Sequence, residues 1–267
     1  MLLMETVLSS LEVQQSVTGW VLDETVGPDA KLRQGDLIRF EGNDNALRQA
    51  GIIVTADCDL EQKKHARLVT LVPVVTIQTA LEHYLLTEDC ERKRPQIEDF
   101  AYQKYDIDKR QDRETKLSVL KEAMQGTTLN KDDPASIAAY FVLDLSSTIS
   151  VSSYKVLMAA LNMGPKKADA LRDQIRGRGD LLILPSAQNL GVVGELAWIR
   201  HLWQTPLGDI AIRTSEVSSR LGERVARLDS PYRYRLTQLM AQVFSDIGLP
   251  NTPDNVEKTL KDVYSNV

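Results

Sequence analysis

Between Gly35 and Ile77 three apolar runs rich in β-branched residues follow one another closely, and they limit the chain to folds with an antiparallel sheet at their centre. Gly35-Asp36-Leu37-Ile38-Arg39-Phe40 leads into Gly51-Ile52-Ile53-Val54-Thr55, and a third run over residues 67–77 is rich in Val, Leu and Thr. Polar, glycine-bearing connections separate them, so they read as neighbouring strands of a small sheet or barrel. The same stretch holds most of the potentially reactive side chains: Arg39, Arg48, Asp57, Cys58, Asp59, Lys64 and His65.

With 267 residues, 43% of them hydrophobic and 26% charged, the chain has the composition of a globular protein with a real core. Its formal net charge of -5 lacks the basic surplus of a general nucleic-acid binder, although a local basic patch is compatible with it. Two cysteines, Cys58 and Cys90, cannot form a disulfide framework. No apolar run approaches the roughly 20 residues that span a bilayer. Met1-Leu2-Leu3-Met4 meets Glu5 at once, too early for the apolar region of a signal peptide. A cytoplasmic protein without membrane contact is expected.

Residues 5–11 suit a short helix, and residues 17–22, with Trp20, a buried segment leading into the first strand. After Ile77 the period changes: Leu81, Tyr84 and Leu85 have helical spacing, and residues 89–116 are crowded with charge, as on a solvated helix face or connection. Residues 117–124 close a helix before Gly126. Asp132 and Asp133 before Pro134 predict a capped helix start, with Ile137, Tyr140 and Phe141 on the helix that follows, and a further helix covers 151–161. Extended character returns at Asp180-Leu181-Leu182-Ile183-Leu184-Pro185, at 190–202 and at Ile210-Ala211-Ile212. Short sheets rarely stand alone, so these late strands are expected to complete the early sheet. Near the end, Asp229 or Ser230 caps a helix with Pro231 at its first position, and Gly248 before Pro250 stops it. Leu236, Leu239, Met240, Val243, Phe244 and Ile247 form one apolar stripe, which must pack on a core or a partner. A last helix is expected over 254–264.

Gly35-Asp36-Leu37-Ile38, Arg48 ahead of Gly51-Ile52-Ile53-Val54-Thr55, and Leu71-Val72-Pro73-Val74-Val75-Thr76 together resemble the PemK/MazF type of toxin. The likeness covers residues 35–76. It implies an SH3-like barrel, and an endoribonuclease activity in which Arg48 and Thr76 match the family's arginine and its Thr or Ser. Gln49 stands where the family has proline, and one extra valine separates Pro73 from Thr76. The family is also about half this length, without a large helical insertion. The blocks Thr55-Ala56-Asp57-Cys58-Asp59-Leu60 and Ser230-Pro231-Tyr232-Arg233 resemble those of larger bacterial proteins associated with defence-type gene neighbourhoods.

Three further groupings have chemistry open to them. Asp57, Cys58, Asp59 and His65 combine a thiol, an imidazole and carboxylates, which suit a metal or a Cys58–His65 nucleophile–base pair; equally, Cys58 is a small buried residue at a strand end with the aspartates organising its turn. His83 and Cys90 join such a site only if their helix folds back. Residues 161–172, with Gly164 and Pro165, resemble half of a helix-hairpin-helix, in which the turn meets a nucleic-acid phosphate and Lys166, Lys167, Arg172, Arg176 and Arg178 add charge. Trp198, His201 and Trp203 offer aromatic surface, but on one alternating strand Trp198 faces away from the other two.

The expected fold is α+β: an SH3-like antiparallel β-barrel from residues 1–77 and 178–215, a mainly helical insertion over 78–177 and a C-terminal helical segment over 216–267. The expected function is that of an accessory component of a bacterial defence or stress system, working through a protein partner from the same operon. The alternatives are a toxin-type ribonuclease and an RNA- or DNA-binding protein. No metal ligand set and no cofactor is named by the sequence.

Overall fold

A computed structural model of the chain describes residues 19–27, 29–62 and 67–245. The helices expected at 5–11 and 254–264, the stop at Gly248, Ile247, Lys64 and His65 lie outside the described residues.

The early strands form as a meander. β1 is Trp20–Val21, β2 Asp36–Phe40, β3 Ala50–Ile53 and β4 Leu68–Val75. Leu37 faces Ile52 across β2 and β3, and Ile52 faces Val72 across β3 and β4, both antiparallel. β5 (Leu181–Ile183), β6 (Leu196–Trp198), β7 (Trp203–Pro206) and β8 (Gly222–Leu228) join the same sheet from the far half of the chain. The order is β1-β8-β2-β3-β4-β6-β5, with β7 also on β4. Early and late segments therefore share one sheet, as the need of short strands for partners requires.

β4 is the strand on which the sheet turns. Its first half pairs with β7, Leu68 to Leu71 against Pro206 to Trp203, and its second half with β6 through Val74 and Val75. Pro73, which has no N–H to donate, falls at the change of partner, where the missing donor costs no ladder bond. Because β4 is covered on both faces, its apolar residues run on without alternation: Val69, Leu71, Val72, Val74 and Val75 are all buried.

The expected SH3-like barrel does not close. The sheet ends on β1, two residues long, and β5, three residues long, and these are not paired with each other. After β7 the chain reaches β8 through a single parallel bridge, Ile210 to Gly222, which is not a ladder. Splitting the outer edge of β4 between two short strands leaves no long strand to complete a closed cylinder. Residues 190–202, expected as one strand, instead form a 3-10 turn at Gln188–Leu190, β6 and a second 3-10 turn at Ile199–His201. Ile210 makes only the bridge.

β8 lies inside the stretch assigned to the C-terminal helical segment and is an interior strand of the sheet, between β1 and β2. Its inward positions include Arg224 and Arg227, both buried, so it shows none of the apolar alternation by which a half-buried strand is recognised. The two guanidiniums meet Asp36, itself fully buried, at 3.0 and 2.6 Å. Arg224 also donates to the carbonyls of Gly27, Ala30 and Lys31, and Arg227 to that of Thr25. Asp36 thereby fastens β2, β8 and the preceding loop together. Its neighbour Gly35 takes φ +93, with a Cβ there meeting Arg233 Cδ at 2.9 Å, so only glycine fits.

The helices are α1 (Asp57–Glu61), α2, α3 (Arg94–Lys104), α4 (Arg113–Ala123), α5 (Pro134–Val142), α6 (Val151–Ala160), α7 (Ala168–Gly177) and α8 (Ser230–Ser245). α2 runs from Ile77–Ala80 through a π turn, Leu81–Leu85, into Leu86–Arg92. Asp133 caps α5 by accepting from the N–H groups of Ala135 and Ser136, with Pro134 at the first turn, as expected. The charged stretch 89–116 is more than a solvated connection: α3 buries Ile97, Ala101 and Tyr102 in a helical core with Leu120, Leu157 and Met158. A smaller cluster joins this helical layer to the sheet, with Ala80 and Leu85 of α2 and Ile175 of α7 against Leu181, Leu196 and Trp198. α8 lays Leu236, Leu239 and Val243 on the core that includes Trp20, Leu182 and Ile199, so its stripe covers the protein's own sheet.

Candidate functional site

Each of the two residues matched to the toxin family has a contact of its own. Thr76 is the N-cap of α2: its hydroxyl oxygen accepts from the Thr79 N–H at 2.9 Å and lies 2.9 Å from the Thr79 hydroxyl. Arg48 is exposed, with its guanidinium 5.8 Å from the centre of the Trp203 ring, which in turn packs edge-on to Phe40 at 5.0 Å.

Cys58 is exposed on α1 and not buried at a strand end, because the chain coils immediately after β3. Its Sγ lies 3.8 Å from Asp59 Oδ1, while Asp57 Oδ1 accepts from the Gln34 N–H at 2.7 Å and fixes the neighbouring loop. Among the described residues no group of three or more His, Cys, Asp or Glu is arranged to hold a metal ion. Cys90 is fully buried in the helical core, where burial first, and then the Asp89 carboxylate, push its thiol up to about 12.

The basic residues of 161–178 are divided between different roles. Lys166 belongs to a mostly buried cluster in which Asp89 receives Lys93, Lys166 at 3.4 Å and the Tyr154 hydroxyl at 2.8 Å. Arg172 is paired with Asp169 at 3.0 Å and Asp173 at 3.1 Å. Lys167 and Arg176 stay exposed.

A different constellation gathers where the helical layer meets the sheet. Asp180, just ahead of β5, is 4% exposed, and both its carboxylate oxygens are engaged. Oδ1 accepts from Arg178 Nε at 3.2 Å; Oδ2 accepts from the Tyr84 hydroxyl at 3.0 Å and from Arg200 Nε at 3.2 Å. Arg178 also reaches Glu88 at 2.9 Å, and Glu88 in turn receives Arg92 at 3.0 Å. Charges thus alternate along Arg92, Glu88, Arg178, Asp180 and Arg200, with one cation in excess.

The aromatic side chains hold this network in place. Tyr84 stacks on Trp198 at 5.0 Å and 20°, and the Arg178 guanidinium lies 4.0 Å from the centre of the Tyr84 ring. His201 does not point away from Trp198, as one alternating strand would require: the 3-10 turn Ile199–His201 folds its ring back to 3.9 Å from Trp198. Tyr84 and His83 come from the π turn of α2, an irregularity that recurs at functional sites. Within this turn the Glu82 carbonyl accepts from the Ile149 N–H and the Thr87 hydroxyl.

The network opens on a cleft of about 620 Å³, which α8 borders through Gln242 and Val243. Arg200 is bonded to Asp180 by Nε alone, so its two terminal amino groups have no partner among the described residues. His201 follows Arg200 in the same 3-10 turn. Burial first, and then the neighbouring His83, lower the affinity of His201 for a proton, with Asp180 acting in the opposite direction. The cleft can therefore grip an anion through guanidinium groups held in position.

Sequence reasoning named Asp180 only as the start of a strand and Arg178 only as added charge for a phosphate at the 161–172 junction, and it passed over Tyr84 and Arg200 as site residues. The available signal was Arg176-Gly177-Arg178-Gly179-Asp180, where arginines alternate with residues that add no bulk before a strand. Among the described residues no helix is long and apolar enough to cross a membrane. Comparison with protein-family models, with curated proteins and with solved structures finds no match to this chain.

Proposed function

We propose that this chain acts by recognition rather than by turnover, as an accessory component of a bacterial defence or stress system that works with a protein partner from its own operon. The observation that carries the reading is the state of Thr76. Its hydroxyl is held in the cap of α2 by Thr79, where it is poorly available for proton transfer, and its proposed partner Arg48 lies over Trp203 instead. The toxin-type ribonuclease reading needs both groups free at one site. Nucleic-acid binding through 164–178 draws little support from Lys166 and Arg172, which are paired with carboxylates.

Expression in a bacterial host separates the readings. Growth is expected to be normal, and Arg48→Ala should change nothing, while a neighbouring gene product co-purifies in stoichiometric amount from the native operon. Growth arrest that Arg48→Ala relieves would establish the ribonuclease and overturn the accessory reading.

A further inference from the structure

The cleft beside Asp180 is equipped beyond what holding the fold requires. A guanidinium that serves only structure is buried and held by several partners, as Arg224 is, with a side chain 1% exposed. Arg200 is anchored at one nitrogen by a buried carboxylate, yet its side chain is 54% exposed. That arrangement fixes the direction of the planar fork and leaves its outer N–H groups for a ligand, the geometry by which arginine takes phosphate in two parallel hydrogen bonds. Arg178 stands on the other side of the same carboxylate, itself fixed by Tyr84 and Glu88.

The cleft has room for more than an inorganic ion. A space of about 620 Å³ is of the size that receives an organic molecule. Its lining also includes Gln242, whose amide both donates and accepts, and the aromatic ring of Tyr84. An anion grip beside an amide and an aromatic ring matches the two halves of a nucleotide. We propose that this cleft binds a nucleotide phosphate, with Arg200 and Arg178 as the binding residues and Asp180 as the residue that positions them. The nucleotide is either free or part of a single strand, since both present the same group.

Titration calorimetry on the full chain with inorganic phosphate, AMP and a short single-stranded RNA, each at two salt concentrations, tests the assignment. AMP or the RNA is expected to bind, more weakly as salt rises. Binding of AMP identifies a free nucleotide as sufficient, and binding of the RNA alone identifies the strand. Arg200→Gln should weaken the interaction about tenfold or more, Arg200→Lys should weaken it less, and Arg176→Gln on the neighbouring helix should leave it unchanged. Arg200 is exposed enough that its variants should melt with the wild type. Absence of binding by AMP and RNA, binding of inorganic phosphate only, or nucleotide binding that survives Arg200→Gln would overturn the proposal. None of these results bears on the growth and co-purification tests of the accessory reading.

Discussion

Two Gly-Asp pairs introduce strands in this protein, Gly35-Asp36 at β2 and Gly179-Asp180 at β5, and each aspartate gathers two arginines, from almost two hundred residues away at Asp36 and from within twenty residues at Asp180. Around Asp36 the partners are 1% and 7% exposed, and their remaining N–H groups are satisfied largely by backbone carbonyls of the loop over 25–31. Around Asp180 the partners are 22% and 54% exposed and border a cleft. Even the glycines differ: a Cβ on Gly35 would strike Arg233, whereas a Cβ on Gly179 would meet nothing within 4 Å. The same local chemistry therefore serves as a fastening where the sheet closes over it and as a receptor where a boundary between layers leaves it open. What separates the two is how far the guanidiniums remain exposed to a cleft.

The sharpest way to break this comparison is to remove each carboxylate in turn. Asp36→Asn leaves two buried guanidiniums without their counter-charge and should cost about 3–5 kcal/mol in a urea unfolding titration. Asp180→Asn removes the partner of one mostly buried and one half-exposed arginine, of which Arg178 keeps Glu88, so the loss should be smaller, about 1–3 kcal/mol, while nucleotide binding falls. Equal losses at the two sites would dissolve the distinction. The smallest effect is one of pH, at the third buried carboxylate. Burial pushes the Asp89 carboxyl up, but Lys93, the Tyr154 hydroxyl and Lys166 outweigh it and hold the group below 3.8. Its contribution is therefore present above pH 3.8 and is lost as the pH falls below that value. Urea midpoints followed downward through this range should fall more steeply for the wild type than for Asp89→Asn.

The parts of the fold legible in the sequence are those set by local periodicity and capping. The meander over β2, β3 and β4, the Asp133 cap of α5 and the stripe of α8 all follow from residues near one another in the chain. β8 escaped because its inward arginines are matched by a carboxylate almost two hundred residues away, and no local pattern carries that pairing. α3 escaped for a related reason: the charge around it concealed Ile97, Ala101 and Tyr102. Of the candidate site, the sequence offered the residues but not their company. Arg48, Thr76 and Cys58 were singled out by type and position, and the structure gives Thr76 a capping role and Cys58 a place on an exposed helix.

From its order of residues alone this chain is committed to an antiparallel sheet flanked by helices, because side-chain period and backbone propensity act over a few positions and need no distant partner. Whether the sheet closes, which buried charge meets which, and that Tyr84, Arg178, Asp180 and Arg200 share one cleft were decided only in three dimensions. Those outcomes depend on contacts between segments about a hundred residues or more apart in the chain, and the cost of an unpaired buried charge is what selects among them.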